Sequence, residues 1–310
     1  MANVRTMCAI CETEGESTEV YPERLDGEII DAHAYSARRF DGKIGHFRIV
    51  QCSRCGLLRS DPIIEHSKIE HLYTESSFTY EGLVQNLKKT YGWYVKKAEG
   101  YLNTEVGPPE YPRTDLKNPK PSTYSLAPKT LLDVGCGNGF ILTESLKLGF
   151  DKVAGIEPSR KAIEGSDPSV RAFIKQGIFD NQSFPSGSFD IVTFFQVMEH
   201  FTDPLNVLRN TEIILNKGGL VLAFNHNMDA LAIKLMGERS PVIDLEHLYF
   251  FDRKTMRKIF EKAGFEVLEQ GRAWNYHSFG YLASLLGFKI KSNLTFHLPI
   301  GNQYLIARKK

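Results

Sequence analysis

The stretch LLDVGCGNGF, Leu131–Phe140, decides the fold class, because three glycines fall within five positions directly after a short apolar run. The apolar run predicts a buried strand, and the glycines predict a sharp turn into a helix. At the carboxyl end of a parallel strand, such a turn lets the backbone approach a ligand and presents the free N–H groups of the helix. The stretch therefore predicts ligand binding at one edge of a parallel sheet.

The chain after this turn alternates between strand-like and helix-like patterns. The runs KVAGIEP, FDIVTFFQV and GLVLAFN are typical of strands, and amphipathic segments lie between them. Near the end, Asp252 is placed to cap a helix that Gly264 ends, and NQYLIARK is a last strand. Alternation of this kind predicts an α/β fold with a parallel, Rossmann-like sheet.

The spacing of the glycines and a nearby acid indicates the ligand. Gly135, Gly137 and Gly139 form G-x-G-x-G, in which the third glycine comes one residue earlier than in a dinucleotide fingerprint. Asp133 would repel a pyrophosphate but attract an ammonium group. S-adenosylmethionine (SAM) carries such a group, together with a carboxylate for the backbone N–H groups. Glu157, at the end of the next strand, is positioned to accept both ribose hydroxyls.

These motifs and FPSGSFDIVTFFQVMEHFTDP resemble those of class I SAM-dependent methyltransferases, over about residues 129–310. The resemblance implies a seven-stranded sheet whose last strand, NQYLIARK, is antiparallel. It also implies that Ile178 and Phe179 lie along the adenine and that Gln196 lines the methionine side of the pocket. The family's adenine-binding acid after the third strand has no obvious counterpart in QGIFDNQSF, where Asp180 is the candidate.

Four cysteines near the start of the chain form two C-x₂-C pairs that are 40 residues apart: Cys8, Cys11, Cys52 and Cys55. Four thiolates suit a closed, tetrahedral Zn²⁺ site. A redox role is the alternative, but neither pair begins a helix after a βαβ strand. We expect structural zinc to hold together a small domain that is too poor in apolar residues to fold alone.

The sequence therefore predicts three regions: a zinc-binding domain at 1–70, a helical connector and proline-rich linker or lid at 71–128, and a SAM-binding methyltransferase domain at 129–310. The segment CSRCGLLRSDP resembles bacterial methyltransferases of deoxysugar, polysaccharide and natural-product pathways, which carry a zinc-binding region before the SAM domain.

Methyl transfer to a hydroxyl or a C–H acid requires a base with a pKa near neutrality. The segment EHLYFFDRKTM resembles the part of sugar methyltransferases where a Glu-His pair serves as the acid–base group, which makes His247 the candidate base and Glu246 its neighbour. His200, in VMEHF, is the second candidate. An alternative use of Glu199 and His200 is a Mg²⁺ site, as in some quinone-precursor O-methyltransferases.

Charge and hydropathy indicate which classes of binding partner are disfavoured. The 38 Lys and Arg residues balance 37 Asp and Glu residues without a basic run, which disfavours a nucleic-acid partner. The N-terminus lacks the apolar core of a signal peptide, and no apolar run approaches the roughly 20 residues that span a bilayer. We expect a cytoplasmic protein without membrane insertion, and the sequence makes no prediction of oligomeric state.

The main functional hypothesis is SAM-dependent methylation of a small molecule: a sugar, a nucleotide-sugar or a glycan precursor. One alternative is O-methylation of a phenolic, quinone or other natural-product precursor. The non-enzymatic alternative is a zinc-ribbon module that binds nucleic acid or protein and uses the SAM domain as a sensor.

Overall fold

The computed structural model describes residues 3–25, 45–76, 84–102, 128–280, 292 and 294–310. The helices with described bounds are α1 (His66–Glu75), α2 (Val84–Glu99), α3 (Phe140–Lys147), α4 (Arg160–Glu164), α5 (Pro168–Arg171), α6 (Pro204–Ile214), α7 (Leu231–Met236) and α8 (Arg253–Lys262). A 3₁₀ turn at Gly237–Arg239 follows α7.

Strands in the first part of the chain are β1 (Asn3–Val4), β2 (Ser17–Tyr21), β3 (Ile49–Cys52), β4 (Leu58–Ser60) and β5 (Ile63–Ile64). The later strands are β6 (Thr130–Val134), β7 (Lys152–Glu157), β8 (Ile174–Gln176), β9 (Phe189–Phe195), β10 (Leu215–His226), β11 (Tyr249–Phe250), β12 (Phe265–Arg272), β13 (Asn275–Ser278), β14 (Thr295–Leu298) and β15 (Asn302–Lys309).

The main sheet has seven strands in the order β12-β15-β10-β9-β6-β7-β8. Strands β8, β7, β6, β9 and β10 run parallel, and β15 is antiparallel to both of its neighbours. The predicted Rossmann-like sheet with an antiparallel last strand is therefore confirmed. Its central strands β6 and β9 are almost entirely buried, because helices cover both faces of such a sheet.

The glycine turn follows β6 as the sequence predicts. Gly135, Gly137 and Gly139 have φ values of 70°, 55° and 70°, which side chains other than glycine rarely adopt. A Cβ at Gly135 would lie 2.6 Å from Val197 Cγ2. Glycine is thus required there both by the backbone and by the close approach of the segment after β9.

Helix α8 begins and ends at the predicted residues. The Asp252 carboxylate accepts the Thr255 N–H at 2.6 Å, and the Thr255 hydroxyl accepts the Asp252 N–H at 3.0 Å. Gly264, with φ of 96°, follows the helix. Both ends are thus set by local chemistry that the sequence shows directly.

Helix α2 covers one face of the main sheet. The ring of Tyr91 stacks on Phe195 of β9 at a centroid distance of 4.2 Å, and the ring of Tyr94 meets Phe224 of β10 at 5.2 Å. This helix is part of the core of the sheet. The proline-rich linker falls in residues 103–127, which lie outside the described residues.

The N-terminal part forms a second sheet with a strand from the far end of the chain. The order is β11-β4-β3-β2, and β11 pairs antiparallel with β4, so that Tyr249 lies opposite Arg59 and Phe250 opposite Leu58. Apolar residues from both parts share one core cluster, among them Phe47 and Leu245. The boundaries at 70 and 128 stay predictions. Within the described part of the chain, no helix is long and apolar enough to cross a bilayer.

Candidate functional site

A cavity lies at the carboxyl edge of β6, β7 and β9, with α1 as its opposite wall. The space open to the centre of a water molecule is about 190 Å³. Six of the residues predicted to bind the cofactor line it: Gly135, Gly137, Glu157, Ile178, Phe179 and Gln196. The cavity is also lined by residues of α1 and its C-terminal cap: Ile69, Glu70, Tyr73 and Ser76.

The carboxylate of Glu157 is fixed at the end of β7 by two backbone donors. One oxygen accepts the Gly137 N–H at 2.8 Å, and the other accepts the Ser159 N–H at 2.9 Å. Burial raises the pKa of Glu157, and these two N–H groups oppose that rise. The glycine turn and the acid after the second strand, predicted separately, are thus joined by a hydrogen bond.

Asp133 and Gly139 do not line the cavity. Asp133 is 3% exposed, and its carboxylate accepts the Thr193 hydroxyl at 2.7 Å. Burial raises the pKa of Asp133 to about 7, the Thr193 hydrogen bond opposes this, and the charge of Glu157 adds to it. Gly139 precedes α3 and packs closely against β8. A Cβ at this position would lie 2.9 Å from Ile174 Cδ1 of β8.

Gln196 follows β9 with a φ of 57°, which is unusual for a residue other than glycine. Its N–H donates to the Phe224 carbonyl at 2.7 Å, which holds the strained backbone next to β10. Such conformations persist where the surrounding structure fixes them, often at functional sites. Asp180 does not line the cavity; its carboxylate accepts the Ser183 hydroxyl and the Gln182 N–H.

Three histidine rings meet beside the cavity. The ring centroid of His247 lies 4.8 Å from that of His200 and 5.4 Å from that of His226. His247 Nδ1 lies 2.6 Å from the Val242 carbonyl, and because a carbonyl only accepts, Nδ1 is the donor. This leaves Nε2 of His247 as the nitrogen with a lone pair.

His200 connects this group to α1. Its Nδ1 lies 2.8 Å from the Tyr73 hydroxyl and 3.2 Å from the Glu246 carbonyl. Burial lowers the pKa of both His200 and His247, which favours the neutral form of each ring. Of the three predicted catalytic residues, His200 and Glu246 line the cavity, whereas His247 is 9% exposed and lies behind His200.

The N-terminal sheet holds the segment that carries His247. The Ser60 N–H donates to the Leu248 carbonyl at 2.9 Å, and the Ser60 hydroxyl donates to the His247 carbonyl at 3.1 Å. The Leu248 N–H in turn donates to the Glu199 carbonyl at 2.8 Å. These bonds bring together three segments that are far apart in sequence.

The sequence predicts a helical connector or lid from residue 71, with Tyr73 among the aromatic residues that could close the cavity, and in the structure α1 supplies one wall of the cavity. Tyr73 contacts His200, and Ser159 donates its hydroxyl hydrogen to the Ser76 carbonyl at 2.7 Å. The aromatic and aliphatic spacing of this segment predicts a helix but not the element against which it packs. Among the aromatic residues of this region, Tyr73 lines the cavity, whereas Tyr91 packs in the core.

The four N-terminal cysteines come together as the spacing predicts. The sulfur atoms lie within 4.8 Å of one another, with 3.4 Å between Cys8 and Cys55 and 3.9 Å between Cys11 and Cys52. Thiolates bound at 2.3 Å to a tetrahedral zinc ion are about 3.8 Å apart. The cluster therefore has the dimensions of a zinc site.

Parts of this chain are similar in sequence to known proteins. The chain is 35% identical over 127 residues to a ubiquinone biosynthesis O-methyltransferase of Ralstonia nicotianae, which covers 37% of this chain and 52% of that protein. It is 27% identical over 157 residues to a tRNA U34 carboxymethyltransferase of Campylobacter jejuni, over 48% of this chain and 54% of that protein. The chain thus spans about half the length of the curated relatives it matches.

A solved SAM-dependent methyltransferase from Archaeoglobus fulgidus superimposes with a TM-score of 0.43 at 16% identity, over 59% of this chain and 86% of that one. A family model described as a methyltransferase domain matches residues 115–270, which is half of the chain. That stretch contains the glycine turn, Glu157, Gln196 and the segment with Glu246 and His247. On this match, the chain belongs to the methyltransferase domain family.

Proposed function

We propose that the chain binds SAM in the cavity at the sheet edge and transfers its methyl group to a small-molecule acceptor. The observation that carries the proposal is the continuity of one cavity from the glycine turn and Glu157 to His200 and Glu246. Methyl donor and acid–base side chains would thereby meet in one space, as an in-line displacement at the sulfonium methyl requires.

In this proposal, the glycine turn offers its backbone to the carboxylate of SAM, and Glu157, whose two oxygens each accept one backbone N–H, accepts the ribose hydroxyls with the remaining lone pairs. Ile178 and Phe179 lie along the adenine, and Gln196 lines the methionine side. Asp133 balances the ammonium group, a role that its burial next to Thr193 supports because an ionised carboxylate there needs a positive partner.

His247 is the proposed base. A neutral imidazole with Nδ1 fixed on a carbonyl presents a lone pair at Nε2, which is the state that a general base requires. Glu246, its neighbour in the chain, lines the cavity, and His200 stands between the His247 ring and Tyr73. His200 is therefore the second candidate for the same proton.

For the acceptor we propose a sugar, a nucleotide-sugar or a glycan precursor, on the resemblance carried by EHLYFFDRKTM. A phenolic or quinone precursor is the second candidate, favoured by the name of the Ralstonia nicotianae relative. We further propose structural Zn²⁺ at the four cysteines, which their sulfur spacing supports, and a cytoplasmic location.

The test of SAM binding is isothermal titration of the purified chain with SAM and with its demethylated product. We expect saturable binding of both and weaker binding by Glu157→Ala. Wild-type protein that binds neither compound would remove the proposed function.

The acceptor is tested by mass spectrometry of reactions with panels of sugars, nucleotide-sugars and phenols, in which a methylated product identifies the class. The contrasting hypothesis, a nucleic-acid partner, is favoured by the Campylobacter jejuni relative named for tRNA. Tight RNA binding that weakens steeply with salt, together with no methylated small molecule, would support that hypothesis.

A further inference from the structure

The side chain of Arg59 on β4 is 0% exposed, and no carboxylate of the described residues forms an ion pair with it. Its Nε donates to the hydroxyl and the carbonyl of Thr6 at 3.1 and 3.4 Å, and its Nη1 donates to the Ser17 hydroxyl at 2.8 Å. Its Nη2 has no hydrogen-bond partner among the described residues. An arginine stays charged when it is buried, and a buried charge is costly unless an opposite charge lies nearby. Arg59 therefore indicates a nearby anion.

The acids of this sheet are balanced by other arginines. The Asp61 carboxylate lies 2.8 Å from the guanidinium of Arg5 and 3.5 Å from that of Arg48. Arg48 also approaches the exposed carboxylate of Glu19 at 3.9 Å. Since neither acid forms an ion pair with Arg59, the anion that Arg59 needs is a different group.

The strand register places Arg59 on the same face of the small sheet as one of the four cysteines. Arg59 lies opposite Val50 in β3, and Cys52, two residues further along β3, points to the same face as Val50. Ser17 of β2, which accepts the hydrogen bond from Nη1 of Arg59, lies directly opposite Cys52. The guanidinium thus reaches across β3 to the strand position beside Cys52.

Arg59 also contacts the segment that leads to Cys8. Thr6 accepts the Nε hydrogen bond, and the next residue, Met7, accepts the Tyr249 hydroxyl at 3.0 Å. Tyr249 lies opposite Arg59 in β11. Burial raises the pKa of Tyr249, the charge of Arg59 opposes this rise and that of Cys8 adds to it, so both charges lie within electrostatic range of one hydroxyl. Arg59 therefore stands between the two segments that supply the cysteines.

A metal ion held by the cysteines would complete the missing anion. Four thiolates around one Zn²⁺ leave two negative charges in excess, and such a group in a buried place needs a positive neighbour. We propose that Arg59 is the buried counter-charge of the four-cysteine cluster (Cys8, Cys11, Cys52 and Cys55) and stabilises its metal-bound form. This inference rests on the structural Zn²⁺ proposed above and assigns to that site a residue outside its ligand set.

The test measures metal affinity, so it needs neither SAM nor an acceptor. The chain is freed of metal under reducing conditions and titrated with Co²⁺ against a competing chelator. Sulfur-to-metal charge-transfer absorption reports the Co²⁺ that thiolates hold. Arg59→Met keeps an unbranched side chain and removes the charge. We expect this variant to bind Co²⁺ about 10–100-fold more weakly than wild type, as is typical when an outer-shell partner of a metal site is lost.

Two further variants separate the buried charge from other effects. Arg54→Met is the matched control, because Arg54 lies between Cys52 and Cys55 in the sequence but its side chain is 58% exposed. Arg59→Lys keeps a positive charge at the buried position with fewer hydrogen bonds. Both should bind Co²⁺ within about threefold of wild type, because solvent screens the first charge and the second variant preserves the charge.

Urea denaturation with and without metal distinguishes a counter-charge from a purely structural residue. The proposed role predicts that Arg59→Met destabilises the Co²⁺-bound chain more than the metal-free chain, whereas lost hydrogen bonds alone would destabilise both equally and overturn the proposal.

Equal Co²⁺ affinities of Arg59→Met and wild type would overturn the role of Arg59 and leave the zinc site in place. If Arg59→Met does not fold, Arg59→Lys decides: a folded Lys variant with binding weakened more than about tenfold would show that charge is not what the site needs from this position. Wild-type protein without charge-transfer absorption would remove the zinc site, and the role of Arg59 with it.

Discussion

Burial makes the protonation of Asp133 sensitive to pH near neutrality. Its pKa in the folded, ligand-free chain is about 7, whereas that of an exposed Asp is about 3.9. Between these two values, the folded chain holds a proton that the unfolded chain has released. The free energy of unfolding therefore falls as pH rises through this window, since the charged carboxylate is costly where it is buried.

A cationic ligand would reverse the preference of buried Asp133 for the protonated form, because such a ligand binds best to the ionised carboxylate. We expect the affinity for SAM to rise between about pH 5.5 and 7.5, by up to tenfold per pH unit below the pKa of Asp133. Asp133→Asn should bind more weakly with a flatter pH dependence. Titration calorimetry at several pH values measures both, and parallel pH curves for the two proteins would contradict the role of Asp133.

His247 should matter for turnover and not for the binding of SAM. Replacing it with Ala removes the proposed base, and loss of a general base lowers kcat by about 10²–10⁴-fold. The Kd for SAM should stay within error of wild type, because His247 does not line the cavity. His71→Ala, on an exposed position of α1, is the control. An unchanged kcat in His247→Ala would move the role to His200.

At the scale of the elements, the turn from β6 to α3 depends on the absence of a side chain at Gly135. An added Cβ would meet Val197 at 2.6 Å and would also occupy a backbone with φ of 70°. Strain and overpacking together predict that Gly135→Ala lowers the free energy of unfolding by about 2–4 kcal/mol.

Gly165→Ala is the matched control for that substitution, because its Cβ would meet only ordinary contacts at 3.5 Å. Urea denaturation measures both variants. Equal stabilities would mean that the turn relaxes around the new side chain, and the close packing against Val197 would then be irrelevant to stability.

The elements that the sequence predicts well are those set by local chemistry. The glycines after β6, the Asp252 cap and Gly264 each act on neighbouring backbone, so their patterns identify the turn and the bounds of α8. The sequence makes no prediction of the pairing of β11 with β4, because Tyr249 and Phe250 alone do not show which segment they pair with. A strand of two residues is determined by its partner and not by its own propensity.

The same distinction holds for the candidate site. The residues of the glycine turn, Glu157 and Gln196 follow parallel strands, and the topology alone places them at one edge. Tyr73 and the position of His247 behind His200 depend on how separate segments pack, which no spacing in the sequence encodes.

On the scale of the whole molecule, the four-cysteine cluster is linked through one small sheet, β11-β4-β3-β2, to the segment that carries His247. Cys52 ends β3, β3 pairs with β4, and β4 pairs with β11, which begins two residues after His247. Ser60 adds two hydrogen bonds to this segment. Order in the N-terminal sheet is thus a condition for the placement of His247, although the cluster lies outside the cavity lining.

Loss of the metal proposed at the four cysteines should therefore reduce both stability and turnover. We expect Cys52→Ser to lower the melting temperature by roughly 5 °C, the shift that a loss of about 3 kcal/mol gives in a chain of this size, and to lower kcat more than the affinity for SAM. Arg54→Ala is the control, because Arg54 lies between Cys52 and Cys55 in the sequence and its side chain is exposed. Calorimetric melting and metal analysis measure the effect. A metal-free variant with the melting temperature and kcat of the wild type would show that the main sheet alone holds the segment with His247 in place.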